Sequence, residues 1–173
     1  MSEYRMEDHQ SEEVLRYKEA AAQGDRDALF ELGCIYYIGE QAKQDIDYAA
    51  ECFAKAAEQG HEDAKKGLEW ICYSCMRGAK KKNPADQYHA ALLCYHGYGV
   101  KKDQEQAIRW LREASDAGHP KASREVFFYA EQFARQGDRE AMLELADLFE
   151  QGVGVTKDAE QAASWREQAR KEA

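Results

Sequence analysis

The chain repeats one pattern of residues three times, and this repetition constrains its fold more than any other feature. The first copy opens at Ala28 and ends at Ala64, and the same spacing of small, aromatic and glycine residues runs from Asp86 to Ala122. A third copy opens at Ala141. Repetition at about 36 residues is typical of helical solenoids, in which each pair of helices buries its apolar face only by stacking on its neighbours.

Each position of the pattern has a structural role that follows from its residue type. Ala28, Leu32 and Tyr36 lie four apart and form one apolar stripe of a first helix. A Gly-x-Gly-Val motif at residues 97–100 and 152–155 is expected to end that helix, because glycine accepts a positive φ. The residues expected to cap the second helices are Asp45, Asp103 and Asp158.

The composition favours helices along the whole chain. The sequence has 28 Ala but only 11 Val, Ile and Thr together. Because alanine favours helices and β-branched residues favour sheets, we expect an all-α fold. The pattern predicts about nine helices, over residues 11–23, 26–38, 46–59, 62–77, 85–96, 104–117, 120–136, 138–151 and 159–171.

The full pattern is A-x3-L-G-x2-Y-x2-G-x-G-V-x2-D-x3-A-x2-W-x2-K-A-A-x2-G-x3-A, and it resembles the Sel-1-like repeat, a relative of the tetratricopeptide repeat. The resemblance covers nearly all of the chain beyond its first residues. It implies a right-handed α/α superhelical solenoid. We therefore expect residues 11–173 to form a single solenoid, preceded by a disordered acidic tail at residues 1–10.

Two copies of the pattern are incomplete, so we expect the array to be irregular in its middle. The unit that opens at Ala64 runs into a lysine-rich segment at residues 78–84 without a second helix. Residues 122–137 hold a lone helix before the pattern restarts at Ala141. We predict a change of superhelical path near residues 78–84.

The formal net charge of −9 is unevenly distributed along the chain. Residues 1–63 carry 16 acidic and 6 basic side chains, whereas residues 64–112 carry 4 acidic and 10 basic ones. The overall sign disfavours general binding to nucleic acid or to anionic membranes. A basic band leaves a local anionic contact open, although it is also explained by a solvated face. Its residues are Lys65, Lys66, Lys80, Lys81, Lys82, Lys101 and Lys102.

The cellular setting is inferred from three features. Residues 1–10 are acidic and polar, unlike an export signal, and no apolar run approaches the length of a membrane span. The five cysteines are an odd number, which suits reduced thiols. We expect a cytoplasmic protein of bacterial type, present as a monomer or weak dimer.

No arrangement of residues predicts catalysis, a metal site or a cofactor. Cys72 and Cys75 lie within one predicted helix and are interpreted as buried thiols. His89 and His96 share a helix face but would need convergent partners to act as ligands or bases. Phosphate-loop, nucleophile-elbow and metalloprotease motifs are absent. We therefore predict a protein that is not an enzyme and needs no cofactor.

The resemblance itself leaves one enzymatic alternative. Some cysteine-rich secreted members of the family are linked to penicillin binding and β-lactamase activity, which would make this chain a hydrolase. The sequence has no Ser-x-x-Lys motif, and its cysteines are not regularly paired. A thiol-dependent activity of Cys72 and Cys75 is the other enzymatic interpretation.

Aromatic residues that the pattern does not require are the candidates for binding. They occupy matching offsets on the first helices, and their counterparts in the last copy are mostly polar. The resemblance implies that first helices line a concave face, where aromatic anchors would bind a partner. If the stacking is irregular, the same residues could instead be core, Trp70 above all. The predicted partner-binding residues are Phe30, Tyr37, Trp70, Tyr73, Tyr88 and Tyr95.

The leading functional hypothesis is a non-catalytic module, either an adaptor, a scaffold or an inhibitor, that binds a protein or peptide on its aromatic face. The acidic residues 1–63 support a more specific alternative, a bacterial immunity protein that neutralises a basic toxin such as a nuclease. Opposite charges would speed that association.

Overall fold

Residues 12–171 are described in a computed structural model, and within this range the chain forms nine helices and no strand. The predicted all-α repeat fold is confirmed. The predicted helix bounds differ from the observed ones by at most three residues. The helices are α1 (Glu12–Ala22), α2 (Arg26–Ile38), α3 (Ile46–Glu58), α4 (Glu62–Lys80), α5 (Pro84–His96), α6 (Gln104–Asp116), α7 (Pro120–Arg135), α8 (Arg139–Gln151) and α9 (Ala159–Lys171). The predicted tail at residues 1–10 lies outside the described residues.

The predicted aspartate caps are present at the start of α3, α6 and α9. The carboxylate of Asp45 accepts the backbone N–H of Tyr48 at 3.0 Å, and Asp103 accepts that of Gln106 at 2.9 Å. Asp158 accepts the N–H of Gln161 at 3.0 Å. Each bond satisfies one backbone donor that has no partner inside the helix, which stabilises the helix by about 1 kcal/mol.

Helix α4 continues three residues beyond its predicted end at residue 77. Gly78 lies inside this helix, where the first turn of α5 packs closely against it. A Cβ at this position would collide with the carboxylate of Asp86, so the glycine serves the contact between the two helices. The chain turns at Lys82, whose φ is +61°, and the Asn83 side chain then accepts the N–H of Ala85 at 3.0 Å. The predicted break is therefore a tight turn after a longer helix.

The helices group into two compact units, with the division inside α4 between Ser74 and Cys75. Of the described residues, unit 1 comprises residues 12–74 together with His96–Lys102, and unit 2 comprises Cys75–Tyr95 and residues 103–171. The single solenoid over residues 11–173 and the change of path near residues 78–84 stay predictions.

The core of unit 1 is built around the ring of Phe53 on α3. A Cβ at Gly33 of α2 would lie 2.5 Å from this ring, and one at Gly67 of α4 would lie 3.2 Å from it. The small residues of the pattern thus let two helices approach the same aromatic side chain. Leu32 and Ile71 complete this core and expose 0% and 1% of their surface.

The core of unit 2 forms where α6, α7 and α8 meet. Leu111 and Leu145 are fully buried there, beside Val126 of α7. The loop after α8 returns across α7, and Gly154 lies directly on the backbone of Ser123 with a φ of +73°. The corresponding loop of unit 1 places Gly99, at φ +67°, against the side chain of Cys72. The second glycine of each Gly-x-Gly-Val motif is therefore needed for close packing as well as for its positive φ.

Candidate functional site

Unit 1 presents two large aromatic side chains to solvent from one side of α4. Trp70 and Tyr73 expose 58% and 59% of their surface, and their ring centroids are 6.2 Å apart. The indole N–H of Trp70 donates to the hydroxyl oxygen of Tyr37, at the end of α2, over 2.8 Å. We call these three residues the Tyr37–Trp70–Tyr73 surface.

The exposure of Trp70 and Tyr73 follows from the apolar stripe of α4. Leu68, Ile71 and Cys72 are buried, at 6%, 1% and 4% exposure, and together they fix the side of the helix that faces the core. Because successive residues of a helix are 100° apart, Trp70 and Tyr73 lie on the side of α4 opposite this stripe and point outward. Trp70 is therefore not a core residue of unit 1.

Phe30, predicted to bind a partner, packs within unit 1. It is half-buried, and its ring stacks on His61 with centroids 4.4 Å apart. The Nδ1 atom of His61 accepts the N–H of Ala64 at 3.2 Å, so the imidazole also caps α4. Phe30 supports the packing of α2 on the start of α4.

Tyr88 of unit 2 occupies the position of Phe30 in its copy of the repeat and makes the same kind of contact. It is 6% exposed and stacks on His119 at 4.8 Å, and Nδ1 of His119 accepts the N–H of Ala122 at 3.2 Å. The aromatic–histidine stack is thus a repeated structural element of both units.

Tyr95 is half-buried against Tyr129 of α7, with ring centroids 5.5 Å apart. Burial, together with the hydrogen bond to Tyr95, raises the pKa of Tyr129 well above its usual range, so this phenol stays neutral. Tyr129 in turn forms part of a cleft on unit 2.

This cleft, between α6, α7 and α8, is a feature that sequence reasoning missed. It has a volume of about 370 Å³. The pattern gave no expectation of a cleft there, because α7 lies outside the complete copies of the repeat. The cleft is lined by Glu105, Ile108, Arg109, Leu111, Arg112, Val126, Tyr129, Ala130, Phe133, Asp138, Glu140, Ala141 and Glu144.

A second hollow, of about 610 Å³, lies between α1 and α2 of unit 1. Among the described residues that line it, most charged groups are carboxylates and Arg16 is the one basic residue. The acidic residues that line it are Glu13, Glu19, Asp25, Asp27 and Glu31. Five of the 16 acidic residues among the first 63 therefore line one concave surface.

The cysteines are placed as expected for structural thiols. Cys72 and Cys75 are buried, and the thiol of Cys72 donates to the carbonyl oxygen of Tyr98 at 2.9 Å. Burial raises the pKa of Cys52 to about 11, so its thiolate is scarce at neutral pH. Among residues 12–171, no group of three His, Cys, Asp or Glu side chains is arranged to hold a metal ion.

None of the helices within residues 12–171 is long and apolar enough to cross a membrane.

Stacked helices of repeated sequence, with glycine loops packed on a preceding helix, define a helical repeat protein. The Sel1 repeat family model matches residues 26–61, 84–119 and 139–172, which together are more than half of the chain. The chain therefore belongs to the Sel1 repeat family. Sel1 repeats generally mediate protein–protein interaction and are typically non-catalytic.

Two solved structures are similar to this chain. One is a protective antigen of uropathogenic Escherichia coli strains that displays an SLR fold, with 27% sequence identity and a TM-score of 0.33. The other is a Sel1 repeat protein from Oxalobacter formigenes, with 22% identity and a TM-score of 0.33. The matches cover 90% and 91% of this chain but only 40% and 55% of those two proteins.

Proposed function

We propose that this chain is a non-catalytic interaction module that binds a protein or peptide partner through the Tyr37–Trp70–Tyr73 surface. The observation that carries the proposal is the exposure of Trp70 and Tyr73, at 58% and 59%. Tyr95 is the candidate contact residue of unit 2. Phe30 and Tyr88, also predicted to bind, are assigned a supporting role because they stack on histidines within their own units.

Exposed aromatic side chains of this size are suited to recognition. Covering them removes apolar surface from water, which contributes about 25 cal/mol for each Å² buried. Trp and Tyr are also the residues most enriched among those that dominate the binding energy of interfaces. A side chain that is more than half exposed contributes little to folding, so its outer surface is accessible to a partner.

The hydrogen bond between Trp70 and Tyr37 favours binding in a second way. It satisfies the indole N–H at 2.8 Å and holds the ring in one orientation. When a partner covers the ring, the indole N–H is therefore not left without an acceptor, and little conformational entropy of this side chain is lost. The indole face is therefore a preorganised apolar contact.

The double substitution Trp70→Ala with Tyr73→Ala tests this proposal. We expect the variant to bind its partner with at least about tenfold lower affinity, since two central aromatic anchors are removed. The measurement is affinity purification from the native host with quantitative mass spectrometry, comparing the wild-type chain with the variant.

Phe128→Ala is the matched control, because Phe128 is a similarly exposed aromatic residue of unit 2, at 55%. Proteins retained by this control and lost by the double variant are the expected partners. The proposal fails if the double variant keeps its helical circular dichroism signal and recovers the same proteins in the same amounts.

A basic toxin is a second candidate partner, favoured by the acidic hollow between α1 and α2. Carboxylates around a concave surface attract cationic partners and accelerate their association. Replacing Glu19 and Glu31 by Gln should slow association with such a toxin and reduce its dependence on salt. A rate that does not change with ionic strength would exclude this candidate.

A further inference from the structure

We propose that the cleft between α6, α7 and α8 of unit 2 binds a basic side chain, an arginine or a lysine, of a partner peptide. This site lies within unit 2 and shares no residue with the Tyr37–Trp70–Tyr73 surface. It adds a second, charge-selective contact to the proposed binding module and does not depend on the first.

The size of the cleft suits one or two side chains. Its volume of about 370 Å³ is near the lower end of the range found for ligand pockets. Ile108, Val126 and Ala130 provide an apolar wall. Such a wall matches the aliphatic stem of lysine or arginine, which packs on apolar surface while its charged end stays near water.

Two aromatic rings of α7 line the same cleft. Tyr129 and Phe133 are four residues apart and therefore lie on one side of the helix. Phe133 is 39% exposed, so its ring is accessible. A cation over the face of such a ring is attracted by the negative charge density of the ring face, and more strongly where it is removed from water.

The charged groups of the cleft favour a cation. Its lining contains two arginines and twice as many carboxylates. Arg112 donates two hydrogen bonds to the carboxylate of Glu144, at 2.8 and 2.7 Å. The guanidinium of Arg109 lies 3.9 Å from the carboxylate of Glu105. Both arginines are thus already compensated by acidic residues of the lining.

The remaining carboxylates belong to Asp138 and Glu140, at the start of α8. Both side chains are exposed, and neither has an ion-pair partner among residues 12–171. The carboxylate of Asp138 also caps α8 by accepting the N–H of Ala141 at 3.0 Å, which leaves its negative charge in place. The positive end of α8 offsets roughly half an elementary charge of this excess. The cleft therefore keeps a net negative charge beside its apolar wall, which favours a basic side chain over an acidic or a purely apolar one.

A random dodecapeptide phage library, selected on the full chain and followed by fluorescence anisotropy of the recovered peptides, tests the proposal. We expect peptides in which an arginine or lysine lies next to apolar residues. Replacing that basic residue by norleucine, which keeps the stem but not the charge, should weaken binding about threefold to tenfold.

Two pairs of variants locate the site. Glu140→Lys should weaken these peptides about tenfold, since attraction becomes repulsion. Glu160→Lys should not, although Glu160 holds the same position in α9 that Glu140 holds in α8. Phe133→Ala should weaken binding at least about fivefold, whereas Phe128→Ala, on the same helix but outside the lining, should leave it unchanged.

The outcomes separate this proposal from the previous one. Trp70→Ala with Tyr73→Ala should leave the basic peptides bound even if it abolishes capture of the host partner. The proposal is overturned if the recovered peptides lack a basic residue, if Glu140→Lys binds them as tightly as the wild-type chain, or if no recovered peptide responds to Glu140→Lys and Phe133→Ala. Circular dichroism of each variant confirms that it is folded.

Discussion

Helices α4 and α5 open two copies of the same repeat, yet they present their aromatic residues in different ways. Trp70 and Tyr73 of α4 are more than half exposed. Tyr88 of α5 is 6% exposed under His119, and Tyr95 is half-buried against Tyr129. A shared offset in the repeat places side chains on the same side of a helix. Whether they are covered depends on the neighbouring helix, which the offset does not describe.

The largest effect that tests this comparison is expected from two aromatic truncations. Tyr88→Ala should destabilise the protein by about 3 kcal/mol, because it leaves a cavity beside His119. Trp70→Ala should cost less than about 1 kcal/mol, since the side chain is mostly in water. Urea denaturation followed by circular dichroism gives both values. Equal losses for the two variants would show that the contrast in burial has no energetic meaning.

The Gly-x-Gly-Val loops of the two units offer a second comparison. Gly154→Ala places a Cβ against the backbone oxygen of Ser123, whereas the Cβ of Gly99→Ala meets the side chains of Cys72 and Leu68. Side chains can shift and a helix backbone cannot. Both variants also force alanine into a positive φ, at a cost of about 1–2 kcal/mol.

We therefore expect Gly154→Ala to cost about 1–2 kcal/mol more than Gly99→Ala in urea denaturation. Gly24→Ala is the control for the φ term alone, since Gly24 has a φ of +87° and nothing within 4 Å of its Cβ position. If all three variants lose the same stability, close packing of the loops is not the reason for their glycines.

The smallest expected effect is a loss of stability at alkaline pH that arises in unit 1. Cys52 occupies the Trp position of its copy, and burial raises its pKa from 9.0 to about 11. Between these values the unfolded chain releases the proton and the folded chain keeps it. The protonated thiol's contribution to the free energy of unfolding is therefore fully present below pH 9. It falls by about 1–2 kcal/mol as the pH rises to 11.

Cys52→Ala should reduce this alkaline slope, and the counterpart in unit 2, Trp110, cannot ionise. Cys34→Ala, at a half-buried thiol, is the matched control and should change the slope less. Thermal unfolding between pH 8 and pH 11 measures the difference. An unchanged slope in Cys52→Ala would assign the alkaline loss to other groups, such as the phenols.

The sequence predicted local features well because they depend on contacts within a few residues. The caps Asp45 and Asp103 and the nine helices of the described part follow from hydrogen bonds to the next turn and from helical periodicity. The end of α4 was misplaced by three residues, because glycine ordinarily disfavours a helix. Here Gly78 is required by the approach of Asp86, a contact that no local rule contains.

The candidate site was predicted only in part, for the same reason. The repeat identified Trp70 and Tyr73 as residues that the fold does not require, and they are exposed. The repeat also indicated that the fold does not require Phe30 and Tyr88. Both nevertheless stack on the histidine that follows in their own copies and support the packing. No feature of the sequence predicted the cleft beside Phe133, since α7 lies outside the residues that match the repeat.

The sequence by itself determined the family, the all-α repeat fold and most of the helix ends. These properties depend on residues that recur at fixed spacings, and each such residue makes its contacts within its own helical turn or with the adjacent helix. Only the tertiary structure decided which aromatic residues are covered and that α6, α7 and α8 enclose a cleft with unbalanced carboxylates. Burial and concavity depend on atoms brought together from distant parts of the chain, and no spacing along one helix records which neighbour will lie across it.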